Sequence, residues 1–148
     1  MKKRRAKADA GLRGIIRANL PHVHWTPIES ALTGSGIPDL HGCFKGVDVW
    51  IETKWTAAWT VEIRPFQIAW LARRARNGGR GFIAVRRLCV ESIRRSAADE
   101  LWLYPGESAA DLKRLGLKSL KPIICFKGGP SKWPWPFVES LLFSFKST

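Results

Sequence analysis

One short turn constrains the fold of this chain more than any other feature of its sequence. Lys45-Gly46 separates two apolar runs in the stretch LHGCFKGVDVWI, residues 40–51. Glycine adopts the positive φ that two-residue hairpin turns require. The sequence therefore predicts a β-hairpin in which Phe44 pairs with Val47 and every pair further out follows in register.

The predicted register brings two acidic side chains together. Counting outward from the turn places Asp39 opposite Glu52, with their Cβ atoms ~5 Å apart. The two-residue period of a strand places Trp50, Glu52 and Lys54 on one face, and Val49, Ile51 and Thr53 on the other. Like charges directly opposite each other destabilise a sheet, so this pair needs a compensating group.

A divalent cation is one group that compensates two neighbouring carboxylates. Mg²⁺ binds one or two carboxylates and completes its shell with water and substrate phosphate. Lys54 follows Glu52 by two residues on the same face. From there it could orient or activate a water, or stabilise the charge that develops on phosphorus.

Each acidic element also has an ordinary structural interpretation. Pro-Asp opens many turns, and Glu-x-Lys is an ordinary pattern for the solvated face of a strand. Here the two elements occur in order, at hairpin-compatible spacing, after a glycine-rich loop (33–38) and before an arginine-rich helix. The combination favours a functional site.

The charge balance indicates a polyanionic partner. The 148 residues include 25 Lys and Arg against 12 Asp and Glu, for a net charge of +13. An acidic membrane would favour a basic amphipathic helix. The basic residues are instead spread over the whole chain, which fits a phosphate backbone better.

Other site classes and locations have little support. The three cysteines lie far apart without CxxC spacing, which argues against a disulfide framework and a structural zinc site. No stretch approaches the roughly 18 apolar residues of a membrane span. The basic start MKKRRAKADAG leads into polar sequence rather than the apolar core of a secretory signal. We therefore expect a cytoplasmic protein with no membrane partner.

Periodicity and turn residues predict an α/β protein. We expect a basic flexible arm over 1–8 and a single domain over 9–148, with its core at about 9–104 and an extension over 105–148. The elements predicted from the pattern are helices over 9–19, 65–77 and 107–115, a short helix in the tail, and strands over 22–30, 81–88, 100–104 and 122–126, besides the hairpin.

Basic side chains around the 65–77 helix are candidate phosphate contacts. Such contacts give affinity without reading base sequence. The candidate DNA-binding residues are Arg64, Arg73, Arg74, Arg76, Arg80, Lys45 and His41. Among the tryptophans, Trp133 and Trp135 stay open between core packing, a dimer contact and a wedge at a DNA branch.

Pro38-Asp39 and Glu52-Thr53-Lys54 resemble the two motif elements of the PD-(D/E)xK nuclease superfamily. The likeness is greatest to its phage-type VRR-NUC and Holliday-junction-resolvase-like members. It rests on HWTPIES, SGIPDLHGC, VWIETK and RPFQIAWLARRARNGGRGFIAVRR, and covers roughly residues 22–87.

The resemblance implies a restriction-endonuclease-like αβββαβ core, a mixed sheet flanked by helices, that binds Mg²⁺ or Mn²⁺ and hydrolyses DNA. Asp39 and Glu52 would then hold the metal, and Lys54 would serve the attacking water. Members use a further acid, often in the first helix, where this chain has only Asp9; Glu29 is the better candidate by its sequence context. Gln67 matches a glutamine found near the site in many members.

Three functions follow as alternatives. The first is a homodimeric endonuclease acting on branched or structured DNA, because two symmetric cuts suit a two-fold dimer. The second is a nicking or homing-type endonuclease with some sequence preference. The third is a non-catalytic basic DNA-binding protein. The resemblance also points to a phage-infected or prophage-carrying bacterial host.

Overall fold

A mixed β-sheet of six strands, with helices on both faces, forms the framework of the chain. The computed structural model describes residues 9–29 and 36–144; the predicted 1–8 arm and residues 33–35 of the glycine-rich loop lie outside them. The helices are α1 (Leu12–Asn19), α2 (Pro65–Arg76), α3 (Ala109–Ser119) and α4 (Trp135–Phe143). The strands are β1 (His24–Pro27), β2 (Leu40–Phe44), β3 (Val47–Thr56), β4 (Gly81–Cys89), β5 (Ala98–Pro105) and β6 (Ile124–Phe126).

The strands lie in the sheet in the order in which they occur in the sequence. Only β3 and β4 are parallel; every other neighbouring pair is antiparallel. A parallel pair needs a crossover connection, and α2 supplies it. The α/β class is confirmed.

The predicted hairpin is confirmed in its turn and its register. Phe44 pairs with Val47, and the pairing continues outward to Leu40 and Ile51. Lys45 and Gly46 have φ values of 50° and 77°. Positive φ at both central residues is the geometry that matches the twist of the two strands.

Helix α2 begins at the predicted proline. Arg64 is its N-cap residue, and the backbone N–H of Arg64 donates to Gln67 Oε1 at 3.0 Å. Leu71 is buried, and Ile68 packs against the same core. Gly78 follows the helix with a φ of 78°, a backbone conformation that ends helices.

The sheet buries apolar residues on both faces, so the molecule has two cores. On one face α1 and α4 cover the sheet, with Leu12, Ile51 and Leu142 fully buried. On the other face α2 and α3 cover it, with Ile83 and Leu112 fully buried. The C-terminal extension contributes to both cores, which sequence patterning alone did not show.

Two tryptophans of the extension belong to the first core. Trp133 and Trp135 are 3% and 9% exposed, and their rings meet edge to face at 5.9 Å. The alternatives of a dimer contact or a DNA wedge need exposed rings, so core packing is the role their burial supports. Trp25, Trp50 and Trp70 are half-buried.

Trp133→Ala should lower the free energy of unfolding by about 3–5 kcal/mol, because it removes a large buried side chain and leaves a cavity. Phe137→Ala is the matched control, since this aromatic ring on the same segment is 49% exposed and should cost about 1 kcal/mol or less. Urea unfolding followed by tryptophan fluorescence or circular dichroism measures both. Equal costs for the two variants would contradict the burial of Trp133.

Within residues 9–29 and 36–144, no helix has the length and apolar character that a bilayer crossing requires.

Candidate functional site

A cavity of about 380 Å³ opens where β3 extends beyond the start of β2. Strand β2 begins at Leu40, which pairs with Ile51, whereas β3 continues to Thr56. The last residues of β3 therefore have β4 on one side and no β2 partner on the other. The cavity is lined by Asp9, Gly11, Arg13, Gly14, Arg17, Asp39, Glu52, Thr53, Lys54, Arg64 and Gln67.

The side chain of Asp39 takes the place of the missing strand partner. Asp39 Oδ2 accepts hydrogen bonds from the backbone N–H of Thr53 at 3.1 Å and from Thr53 Oγ1 at 3.0 Å. The backbone carbonyl of Asp39 accepts from the N–H of Ile28 at 2.8 Å. These bonds fix the carboxylate beside β3, close enough for its charge to act on Glu52.

Glu52 is a buried carboxylate with one oxygen left free. Its side chain is 2% exposed, and Oε1 accepts from Gln67 Nε2 at 2.7 Å. Oε2 has no hydrogen-bond partner within the described residues. Burial, and then the neighbouring charge of Asp39, raise the pKa of Glu52 to about 8, although Lys54 opposes this shift. A buried oxygen without a partner is costly unless a cation or a proton satisfies it.

Lys54 and Glu52 share one partner on α2. Lys54 Nζ lies 3.4 Å from Glu52 Oε1 and donates to Gln67 Oε1 at 2.9 Å. The same Gln67 oxygen also accepts the N–H of Arg64 at the start of α2. Gln67 thus fixes the acid and the lysine of β3 against the first turn of the crossover helix.

The structure places Asp9, rather than Glu29, at the cavity. Asp9 Oδ2 accepts from the N–H of Arg13 at 2.9 Å and lies 2.9 Å from Thr53 Oγ1, whose single proton it shares with Asp39, so it joins the start of α1 to β3. Glu29 is exposed and does not line the cavity. Thr53 contacts both Asp9 and Asp39, and sequence reasoning had not singled it out.

Arg86 holds the turn that carries Asp9, and it too was missed from the sequence. Its Nη1 donates to the carbonyl of Ala10 at 2.8 Å, while Nε and Nη2 donate to the carboxylate of Asp99 at 2.9 and 2.8 Å. Ala10 has a φ of 52°, a conformation that a non-glycine residue adopts only when its surroundings hold it. No sequence signal connects residues 10, 86 and 99; only the packing of α1 on the sheet does.

The candidate arginines separate into different environments. Arg64 lines the cavity, together with Arg13 and Arg17 of α1, which the sequence analysis had not selected. Arg73 and Arg76 are exposed on α2.

The other candidate DNA contacts lie outside this cavity. The Arg74 guanidinium lies over the ring of Trp70, 4.6 Å from its centroid. Arg80 donates to the carbonyls of Leu141 and Leu142 at the end of α4. His41 contacts Asp48 at 2.9 Å, and Lys45 lies exposed at the hairpin turn.

The carboxylate oxygens at the cavity suit a hard cation. Within the described part of the chain, no group of three or more His, Cys, Asp or Glu side chains is arranged as a metal site. Two neighbouring carboxylates are present, and one of them has a buried free oxygen. Mg²⁺ and Mn²⁺ favour oxygen ligands, and Mg²⁺ takes one or two carboxylates with water and phosphate completing the shell. Asp39 and Glu52 fit that requirement.

No protein-family model matches this sequence, and no curated protein matches it.

Proposed function

We propose that this protein is a metal-dependent endonuclease that hydrolyses phosphodiester bonds in DNA. The observation that carries the proposal is the environment of Glu52. This carboxylate is buried beside Asp39, one of its oxygens has no hydrogen-bond partner among the residues that the structure describes, and Lys54 Nζ lies 3.4 Å from its other oxygen. A proton satisfies that oxygen only below the raised pKa of about 8, whereas a cation would satisfy the ionised carboxylate.

The order of elements supports the finer fold assignment within this proposal. From α1 to β4 the chain runs α-β-β-β-α-β, which is the order of a restriction-endonuclease-like core. The PD element lies immediately before β2 and the ExK element lies on β3, an arrangement compatible with the proposed nuclease superfamily. The resemblance in sequence and the order of elements thus support the same proposal.

Seven of the side chains at the cavity have a role in the proposed reaction. Asp39 and Glu52 would hold Mg²⁺ or Mn²⁺, which when bound supplies Lewis acidity toward the phosphate. Lys54 donates a hydrogen bond to the attacking water or to a phosphate oxygen. Gln67 positions Lys54 and Glu52, and accordingly it acts through them. Arg13, Arg17 and Arg64 line the cavity, where they would neutralise the phosphates next to the cleaved bond.

The proposed substrate is branched or otherwise structured DNA, cut by a homodimer in the phage-related setting that the resemblance implies. Linear duplex with some sequence preference is the alternative substrate within the same chemistry. Phosphate contacts by the lining arginines would not depend on base sequence, so the cavity is compatible with either substrate.

A non-catalytic DNA-binding protein is the second candidate, and one observation favours it. Asp9 and Asp39 already accept structural hydrogen bonds, and no three-residue metal cluster lies within the described ranges. Under this interpretation the hydrogen bonds of Asp9 and Asp39 have only a structural role, in which they connect α1 to β3.

Cleavage of a substrate panel separates these candidates. We expect purified protein with Mg²⁺ or Mn²⁺ to nick four-way junctions and flaps faster than linear duplex or single strands, and EDTA to stop the reaction. The panel should be run at a stated salt concentration, because phosphate-dominated binding depends steeply on salt. If all four substrates stay intact with either metal while DNA is bound, the non-catalytic alternative replaces the nuclease.

A further inference from the structure

A second basic surface lies next to the C-terminal end of β3, beyond the cavity that contains Glu52 and Lys54. A cavity of about 310 Å³ is lined by Ala57, Ala58, Trp59, Arg87, Arg94, Arg95 and Ser96. We call these residues the β4–β5 surface, because the arginines that dominate it come from β4 and from the connection between β4 and β5. None of them belongs to the candidate site described above.

The connection that carries Arg94 and Arg95 is a formed turn. The backbone N–H of Ser92 donates to the carbonyl of Arg95 at 2.8 Å, and the N–H of Arg95 returns a bond at 3.3 Å. This closed turn presents Ile93 fully exposed at its tip and Val90 largely exposed at its base.

The positive charge of this turn is not neutralised by the rest of the surface. Arg95 Nη1 donates to the carbonyl of Ala57 at 3.1 Å, a bond that leaves its charge intact. No acidic partner contacts Arg94 or Arg95 within the residues that the structure describes, although Glu91 lies exposed on the same turn.

Arg87 and Trp59, which line the same surface as the two arginines, contact each other. Arg87 is paired with Glu100 and lies over the ring of Trp59, 3.9 Å from its centroid. Trp59 is itself 40% exposed, and Lys118 Nζ lies 6.0 Å from its ring centroid. An aromatic ring flanked by cations suits a sugar-phosphate chain, which offers both anionic oxygens and apolar ring faces.

The position of the surface relates it to the proposed cleavage site. Ala57 follows Lys54 by three residues, and β3 continues to Thr56. The backbone of Ala57, whose carbonyl accepts from Arg95, therefore lies ~10 Å from that of Lys54 at a rise of about 3.3 Å per residue. Ten ångströms corresponds to about three base pairs of duplex, at 3.4 Å per pair.

We propose that the β4–β5 surface binds the phosphate backbone of the DNA substrate about three base pairs from the cleaved bond, with Arg94 and Arg95 as the phosphate contacts. The location of the cut rests on the proposed function, whereas binding of DNA by this surface does not. The surface would increase affinity and fix the direction in which DNA crosses the cavity, without selecting a base sequence.

The test removes two charges from this surface and, as a control, two from elsewhere. Arg94→Ala/Arg95→Ala is compared with Lys113→Ala/Lys121→Ala, two exposed lysines that line neither cavity. DNA affinity is measured in EDTA as a function of salt concentration, so the result does not depend on cleavage. Two lost phosphate contacts should reduce the slope of log affinity against log salt by about 1.8 and weaken binding roughly 30-fold at 0.15 M salt.

Three further results decide the interpretation. Arg94→Lys/Arg95→Lys should restore most of the slope, and melting temperatures should match the wild type, because the changed side chains are exposed. In cleavage assays the Ala/Ala loss should disappear with DNA trimmed to two base pairs beside the cut. A wild-type salt slope in the Ala/Ala variant, or a loss equal to that of the lysine control, overturns the proposal. Absence of cleavage with the predicted slope change would instead contradict the proposed nuclease and keep this surface as a DNA contact.

Discussion

Lys54→Ala should lower the rate of DNA cleavage by about 10³-fold, while the affinity for DNA changes only a few-fold. Lys54 Nζ lies 3.4 Å from Glu52 and is held by Gln67 at 2.9 Å, so its ammonium is fixed at the carboxylates rather than free to move along the surface. Its charge would act where negative charge increases during the reaction. The affinity for DNA depends instead on many basic residues, and Lys54 is only one of them.

Lys45→Ala is the matched control, because this lysine belongs to the same hairpin but lies exposed at the turn, outside the cavity. It should weaken DNA binding slightly and leave the single-turnover rate of bound DNA unchanged. Single-turnover cleavage with saturating protein, beside affinity measured in EDTA, separates the two effects. Wild-type turnover by Lys54→Ala would remove the lysine from the mechanism; equal losses in both variants would mean that only charge matters.

The part of the site formed by the hairpin could be predicted from sequence because it depends on local geometry. Lys45-Gly46 determines the turn, and the turn determines the register, which ends at the pair Leu40 and Ile51. Asp39 and Glu52 are the next residues along the chain, so the register places them near each other although they are not a ladder pair. The strand period also placed Thr53 on the face opposite Glu52, and its hydroxyl indeed contacts Asp9 of the α1 side. Asp39 reaches that hydroxyl as well, because it lies beyond the end of β2, where no paired strand directs its side chain.

The rest of the site depends on contacts between residues distant in sequence, and pattern alone does not predict them. Asp9 reaches the cavity only because α1 packs on the sheet and Arg86 holds the carbonyl of Ala10. Glu29 was favoured over it because it occurs in a strand-like stretch before the glycine-rich loop. The strand in fact ends at Pro27, and Glu29 is exposed beyond it.

The burial of the C-terminal extension in the core does not follow from the sequence pattern either. KWPWPF has no period that distinguishes a buried segment from an exposed one. Prolines before and within the first turn of α4 set where that helix begins, and the packing of α4 on the sheet then buries Trp133 and Trp135. The fold class followed from the strand and helix patterns, whereas the burial of this segment required the tertiary structure.

The metal-free protein should become less stable as the pH rises from about 5 to 8, and Glu52 should be the cause. The pKa of Glu52 is about 8 in the folded chain against an ordinary 4.5. Between these values the folded state keeps a proton that the unfolded state has lost, so the free energy of unfolding falls with rising pH. The predicted decrease from this one group is about 3 kcal/mol.

Glu52→Gln should remove that part of the pH dependence, because glutamine does not titrate. Glu62→Gln is the matched control, since Glu62 is exposed and only ten residues away on the chain. Urea unfolding in EDTA at several pH values measures the slope for each protein; slopes are compared rather than absolute stabilities, because glutamine adds its own buried amide. Parallel curves for wild type and Glu52→Gln would show that Glu52 does not hold a proton in the folded state.

Addition of metal should reverse the trend for the wild type alone. A divalent cation binds the ionised carboxylate, so binding releases the proton and stabilises the protein more strongly as the pH rises toward 8. The increase in melting temperature with Mg²⁺ or Mn²⁺ should therefore grow from pH 6 to pH 8 in the wild type and in Glu62→Gln, and be lost in Glu52→Gln. A pH-independent increase that survives Glu52→Gln would mean that the cation binds elsewhere, and the free oxygen of Glu52 would then need a different partner.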